Sequence, residues 1–387
     1  MSLRHLDCAL FATIRGARAK GLRPGTGKGS PDPSRPFEKS LPGFPILSPG
    51  LWGGLALISL LACALLVLQA EGSMRAAGSV LQRGEGTGET GPAGSQGSQH
   101  RVVGVANAGQ FQRIEEKNGQ IVAEYGCRNF NNDPLSIGYT ISSKELATYK
   151  QGYGFSQGEL DALNLWQKKA LEDAYRYAVQ NRLKQEDLNK MGGAIRADYH
   201  AKHRSLLVSR GFAVLPGNVL VADIPAIARR NVKELRPIAL ALESMAGKRG
   251  YDSSEIIGAA LSLVQTAFLY ENVPLLVNGR QTGGIYPPLE TVAKGRGDCD
   301  TKSALLASIL LNWGKMKLVG VGVPDHYLMA MLANPAKGDA FVEYQGLRYV
   351  LMEPAGPAWL PPGVVGPATS AVLAAGTPLA LEPFTTN

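Results

Sequence analysis

Gly295-Arg296-Gly297-Asp298-Cys299-Asp300-Thr301-Lys302-Ser303-Ala304-Leu305-Leu306-Ala307-Ser308-Ile309-Leu310-Leu311-Asn312-Trp313-Gly314 is the most informative stretch of this 387-residue chain. Glycines precede the cysteine, apolar residues recur at 305, 306, 309 and 310, and Gly314 supplies a stop. The pattern predicts a buried helix with Cys299 in its first turn. Unpaired amides and the dipole at such an end favour the thiolate, which is the nucleophilic form of cysteine. Asp298 and Asp300 oppose that charge, so a histidine partner carries more weight than usual.

Working outward from the cysteine, His326 is the histidine that can serve. His5 and His100 fall outside the expected folded body, and His200 and His203 share a helix face beside Lys202 and Arg204 that lacks the acidic or thiol ligands of a metal site. Leu318 to Val323 reads as a strand, Pro324-Asp325 as a break, and His326 to Leu332 as the next strand. Phe341 to Tyr344 and Leu347 to Met352 follow, and Glu353-Pro354 ends the last of them. A nucleophile on a helix, a base at a strand start and a carboxylate at the end of a neighbouring strand can converge at one edge of a sheet, and Cys299, His326 and Glu353 fit those roles.

Around these residues the sequence resembles the transglutaminase-like cysteine protease superfamily, and more closely its bacterial envelope members. The resemblance rests on Val264, Gln265 and Tyr270 of a helix, on Pro288, Glu290 and Thr291 of a turn, and on Gly297 to Asp300. It extends through His326 to Tyr349, Glu353 and Pro354, and covers roughly residues 250 to 360. It implies Cys299 as nucleophile, His326 as general base and acid, and Glu353 as the group that orients the imidazole. It also implies Gln265 as an oxyanion-hole donor, together with the backbone amide of Cys299. The third member in this superfamily is most often Asp, and Glu353 is longer by a methylene. The implied fold is α+β and papain-like, with helices packed on an antiparallel sheet, and no metal or organic cofactor is required.

The remaining sequence divides by composition. Eight of the 40 Lys and Arg and three of the 32 Asp and Glu lie in residues 1–50, so five of the eight net positive charges belong to a basic, Pro/Gly-rich tail. The rest is nearly neutral, which argues against nucleic acid as a partner. Residues 51–70, LWGGLALISLLACALLVLQA, have only Ser59 and Gln69 as polar side chains and match the span of a bilayer. They are expected as one N-terminal transmembrane helix, or as a signal segment cleaved near Ala70. The basic flank marks the cytoplasmic side, so the C-terminal body is expected on the extracytoplasmic, periplasmic side, or secreted if cleaved. Residues 71–100 read as a Gly/Ser-rich stalk, 101–249 as a mainly helical region, 250–362 as the catalytic domain and 363–387 as a C-terminal tail.

Within 101–249, Val102 to Ala106 and Gln120 to Tyr125 read as short strands. The capping box from Ser156 to Glu159 opens a helix expected to reach the region of Asn189, and a helix over Ala226 to Met245 is broken near Pro237. Four cysteines are too few for a disulfide framework, and Cys127 reads as a packed thiol. The expected activity is acyl transfer on amide or peptide bonds of a protein or peptide in the cell envelope, with peptidase or amidase chemistry favoured over transamidation. The alternative is a catalytically silent module that binds such a ligand in the same cleft.

Overall fold

The computed structural model describes residues 101–104, 110–216 and 219–384. The basic tail, the candidate membrane segment 51–70 and the stalk lie outside them. Among the described residues no helix is long and apolar enough to cross a membrane. The described chain is α+β, with antiparallel pairing in every sheet except one short parallel ladder.

It opens with four antiparallel strands in sequential order, β1 (Arg101–Gly104), β2 (Phe111–Lys117), β3 (Gln120–Arg128) and β4 (Pro134–Ser142). The region expected to be mainly helical therefore begins as a sheet. Ala123, Tyr125, Cys127, Leu135 and Ile137 alternate along β3 and β4 and turn one face into the core. Helix α1 (Ser143–Gln151) follows directly, closed by a capping box between Ser142 and Glu145.

A two-residue strand β5 (Phe155–Ser156) leads into α2 (Gln157–Gln180), whose start carries the expected capping box of Ser156 and Glu159. This helix ends at Gln180 instead of reaching Asn189. Residues 181–184 turn the chain, with Arg182 at positive φ, into α3 (Gln185–Ser209), and the two helices pack as a hairpin. After the β6 (Phe212–Leu215) and β7 (Val219–Ala222) ribbon come α4 (Ile224–Arg230) and α5 (Arg236–Arg249). The break foreseen near Pro237 is the gap between these helices, with the proline in the first turn of α5, where its missing N–H costs nothing.

Helix α6 (Ser253–Ala267) starts at the Asp252–Glu255 capping box and is buried from Ile257 to Ala267. Three short strands, β8 (Leu269–Tyr270), β9 (Leu276–Val277) and β10 (Arg280–Gln281), precede α7 (Pro288–Lys294). Gly295 ends α7 at φ +65°, a conformation that a side chain resists. Then β11 (Arg296–Gly297) pairs with β8 and delivers the chain to α8 (Cys299–Leu310).

The large sheet holds β12 (Leu318–Val323), β13 (His326–Leu332), β14 (Phe341–Tyr344), β15 (Leu347–Met352) and β16 (Ala380–Pro383) in the order β14-β15-β13-β12-β16, all antiparallel. The expected C-terminal tail is thus part of the fold. Residues Pro367–Ala374 form α9, and β16 extends the sheet by pairing with β12.

Along β13 the side chains divide strictly. Tyr327, Met329 and Met331 join the main core with α6 and α8, whereas Leu328 and Ala330 join a second cluster that takes Val372 and Leu373 from α9. Both faces of the central strands are covered, which is why β12 and β13 read as nearly continuous apolar runs. The main core contains β3 and β4 residues together with those of α5, α6 and α8, so no division falls between 249 and 250. Helix α8 lies at its centre, buried from Thr301 to Leu310. Each fully buried leucine or isoleucine contributes roughly 1.5–3 kcal/mol from removal of its surface from water.

Candidate active site

The first turn of α8 is built as the spacing predicts. Asp298 is the N-cap and accepts from the Thr301 amide at 3.0 Å through Oδ1, while its Oδ2 accepts from the Val273 amide at 3.4 Å. Cys299 is the first helical residue, partly buried, and packs against the main core. Burial and the neighbouring Asp300 charge push the Asp298 carboxyl up to about 7, against the pull of its bonds to Thr301 and Val273. The opposition to a thiolate expected from Asp298 is therefore weakened near neutral pH, because a protonated carboxyl carries no charge.

His326 and Glu353 meet directly. Imidazole Nε2 lies 2.8 Å from Glu353 Oε1, and the two side chains are only 22% and 12% exposed. The register explains the meeting: Met329 on β13 pairs with Met352 on β15, so the next residue, Glu353, falls near the start of β13. Glu353 also accepts from the Gly366 amide at 2.8 Å and lies 3.4 Å from the Thr369 hydroxyl, so the start of α9 fixes its carboxylate. Burial raises its pKa, but the bonds to His326, Gly366 and Thr369 outweigh burial and hold it below the ordinary carboxylate range. His326 thus meets Glu353 through Nε2.

Gln265 belongs to the site in a different role from the oxyanion donor that the resemblance implies. Its Nε2 donates to the carbonyls of Glu353 at 2.8 Å and Leu360 at 2.9 Å, and its Oε1 accepts from the Leu360 amide at 3.0 Å. Both amide hydrogens are committed to backbone, and the residue is 1% exposed. Its carboxamide is a strut that clamps the segment 353–360. A substituent at Gly356 would come within 2.0 Å of the Gln265 carbonyl oxygen, so only glycine lets this segment lie down on α6.

Lys302, a residue outside the motif that the sequence predicts, sits beneath the strut. It is wholly buried one turn beyond Cys299, and its Nζ donates to the same Gln265 carbonyl at 3.2 Å. Burial pushes its ammonium down to about 7. The signal in the sequence was a lysine in the middle of an apolar helix.

Helix α8, which begins at Cys299, packs against β13, which begins at His326. Ser303, one turn beyond Cys299, has its hydroxyl 3.5 Å from the carbonyl of Tyr327, the residue after His326. The thiol itself lies 3.5 Å from an Asp300 carboxylate oxygen. The structure thus joins His326, Glu353 and Gln265 in one bonded set, and the helix that Cys299 opens packs on the strand that His326 opens.

The other candidates stay apart. Cys127 is fully buried, and burial pushes its thiol up to about 12 against weaker bonds from Thr266 and Ser262, which makes it inert near neutral pH. His203 is lowered by burial and by the nearby His200, and among the described residues no group of His, Cys, Asp and Glu could hold a metal ion. Comparison of the chain with family models, curated proteins and solved structures finds no match.

Proposed function

We propose that the protein is a thiol enzyme of the transglutaminase-like, papain-like kind, acting on amide or peptide bonds through an acyl-enzyme. The observation that carries the reading is the 2.8 Å bond between His326 and Glu353 at the end of the sheet on which the Cys299 helix packs. Glu353 holds the imidazole by Nε2 and stabilises the cation that forms on it. His326 Nδ1 takes the Cys299 proton once the sulfur turns from Asp300, and the thiolate adds to the substrate carbonyl carbon. The C–N bond then breaks, and the proton on Nδ1 passes to the leaving amine. A water molecule, deprotonated by Nδ1, attacks the thioester carbonyl, releases the acid and returns the thiol. The amides of the first turn of α8 supply electrostatic stabilisation of the oxyanion.

The charge-free segment 51–70 and its basic flank support a membrane-tethered enzyme facing the cell envelope, with a protein or peptide there as substrate. Hydroxylamine tests the acyl-enzyme. Peptide amides incubated with the protein and hydroxylamine are expected to yield peptidyl hydroxamate, lost in Cys299→Ala; hydroxamate formation unchanged by that substitution contradicts the reading. A catalytically silent binding module is the second reading. The contact of the thiol with Asp300 favours it, and it requires no hydroxamate at all.

A further inference from the structure

A cavity of about 360 Å³ opens on a different part of the molecule, among α1, the Tyr153-Gly154 turn, α4, the β9–β10 hairpin and the start of α7. None of Cys299, His326, Glu353 and Gln265 lines it. Its size falls within the range of small-molecule sites. Ala147, Ile227, Val277, Ile285, Tyr286 and Pro287 supply apolar wall, and Lys150, Arg210, Arg280 and Glu290 supply charge.

The charges around it are unbalanced. Glu159 is shared by Arg210 at 2.6 Å and Arg280 at 3.3 Å, and Glu290 is shared by Lys150 at 3.3 Å and Lys294 at 3.2 Å. These two clusters hold four cations and two carboxylates, an excess of two positive charges. The arginines are further pinned by backbone carbonyls: Arg210 donates to Gln151 at 2.8 Å, and Arg280 to Gly154 at 2.6 Å. They are fixed sources of potential with little freedom to move. Lys150 differs, since it is partly exposed and Glu290 is its one ion-pair partner among the described residues, so it has ammonium protons to offer an incoming group.

We infer that this cavity is a binding site for a small organic anion, a carboxylate on an apolar or aromatic body, with the body against Ile227, Val277 and Tyr286 and the carboxylate at Lys150. The excess charge disfavours amines and metal cations, and the apolar walls disfavour inorganic anions. Neither cysteine nor histidine lines the space, and the role inferred for it is binding alone. The inference stands independently of the thiol chemistry.

Isothermal titration of the full-length protein with 2-naphthoate, 2-naphthamide and 2-naphthylmethylamine tests it. Naphthoate is expected to bind about tenfold or more tightly than the isosteric amide, with the amine weakest, and its affinity should fall with added salt. Lys150→Gln should bring naphthoate to the level of the amide. Ala147→Trp, a substitution at an exposed position on the rim, should abolish binding of both. Equal binding of acid and amide, no binding of naphthoate, or naphthoate affinity unaffected by Lys150→Gln would overturn the inference.

Discussion

Glu353 is the residue whose surroundings are most specific to its task, because its carboxylate faces His326, the Gly366 amide and the Thr369 hydroxyl at once. Glu353→Gln keeps the shape and removes the charge that steadies the imidazolium. It is expected to lower hydroxamate formation by about a hundredfold or more while leaving the thermal midpoint within a few degrees. Glu353→Asp keeps the charge but shortens the reach, and an intermediate loss is expected.

Lys302 makes the stability of the fold depend on pH. Its folded pKa, about 7, lies below the unfolded value of 10.5, so between these values the unfolded chain binds more protons and stability rises with pH. From pH 7 to 9 the gain is roughly 2–3 kcal/mol. In Lys302→Met that slope should disappear from the urea unfolding curves, and the variant should be the more stable protein at pH 6. Asp298 has the opposite sign in a lower window. Its folded value, raised to about 7 from 3.8, costs stability as pH climbs between the two, a decline that Asp298→Asn should remove.

At the scale of elements, the 353–360 segment depends on contact between Gly356 and α6. A methyl group at Gly356 would meet the Gln265 carbonyl, a backbone atom that cannot swing away. Gly356→Ala is expected to cost about 1–3 kcal/mol by overpacking. Hydroxamate formation per folded molecule should fall as well, because the displaced segment begins at Glu353.

The four strands over 318–352 and the start of α8 were legible in the sequence because local signals agree there with burial. Alternation, a break at Pro324-Asp325 and the glycines before Cys299 all point the same way. The first sheet was legible only in part. Pro134 and Gly138 interrupt the reading of β4, although Leu135, Ile137 and Ile141 alternate through them, and β2 is rich in charge because much of it is exposed. The end of α2 at Gln180 was missed because polar, helix-favouring residues run through the turn at 181–184 into α3. Cys299, His326 and Glu353 could be read from order and spacing, whereas the work of Gln265 could not. Its hydrogens are taken by a segment 88 to 95 residues away, and only the folded chain shows that.

For the whole molecule, the decisive feature is that one core runs from β3 through α6 and α8 to β13, with α9 and β16 closing the far side. Residues beyond 362 thus hold Glu353 from one direction and pair with β12 from another. Truncation after Thr377 removes β16 and leaves the outer edge of β12 unpaired. That protein is expected to unfold at a lower urea concentration and to associate through the exposed edge, as gel filtration would reveal.

The proposed chemistry requires Cys299 and His326 to form a reactive pair in the folded protein. The pH dependence of Cys299 alkylation by iodoacetamide, followed by mass spectrometry of the peptide that contains it, tests this most directly. The wild-type protein is expected to be alkylated well below the ordinary thiol range, and His326→Ala should move the midpoint up toward about 8.5. A single rise near 8.5, the same with and without His326, would contradict it.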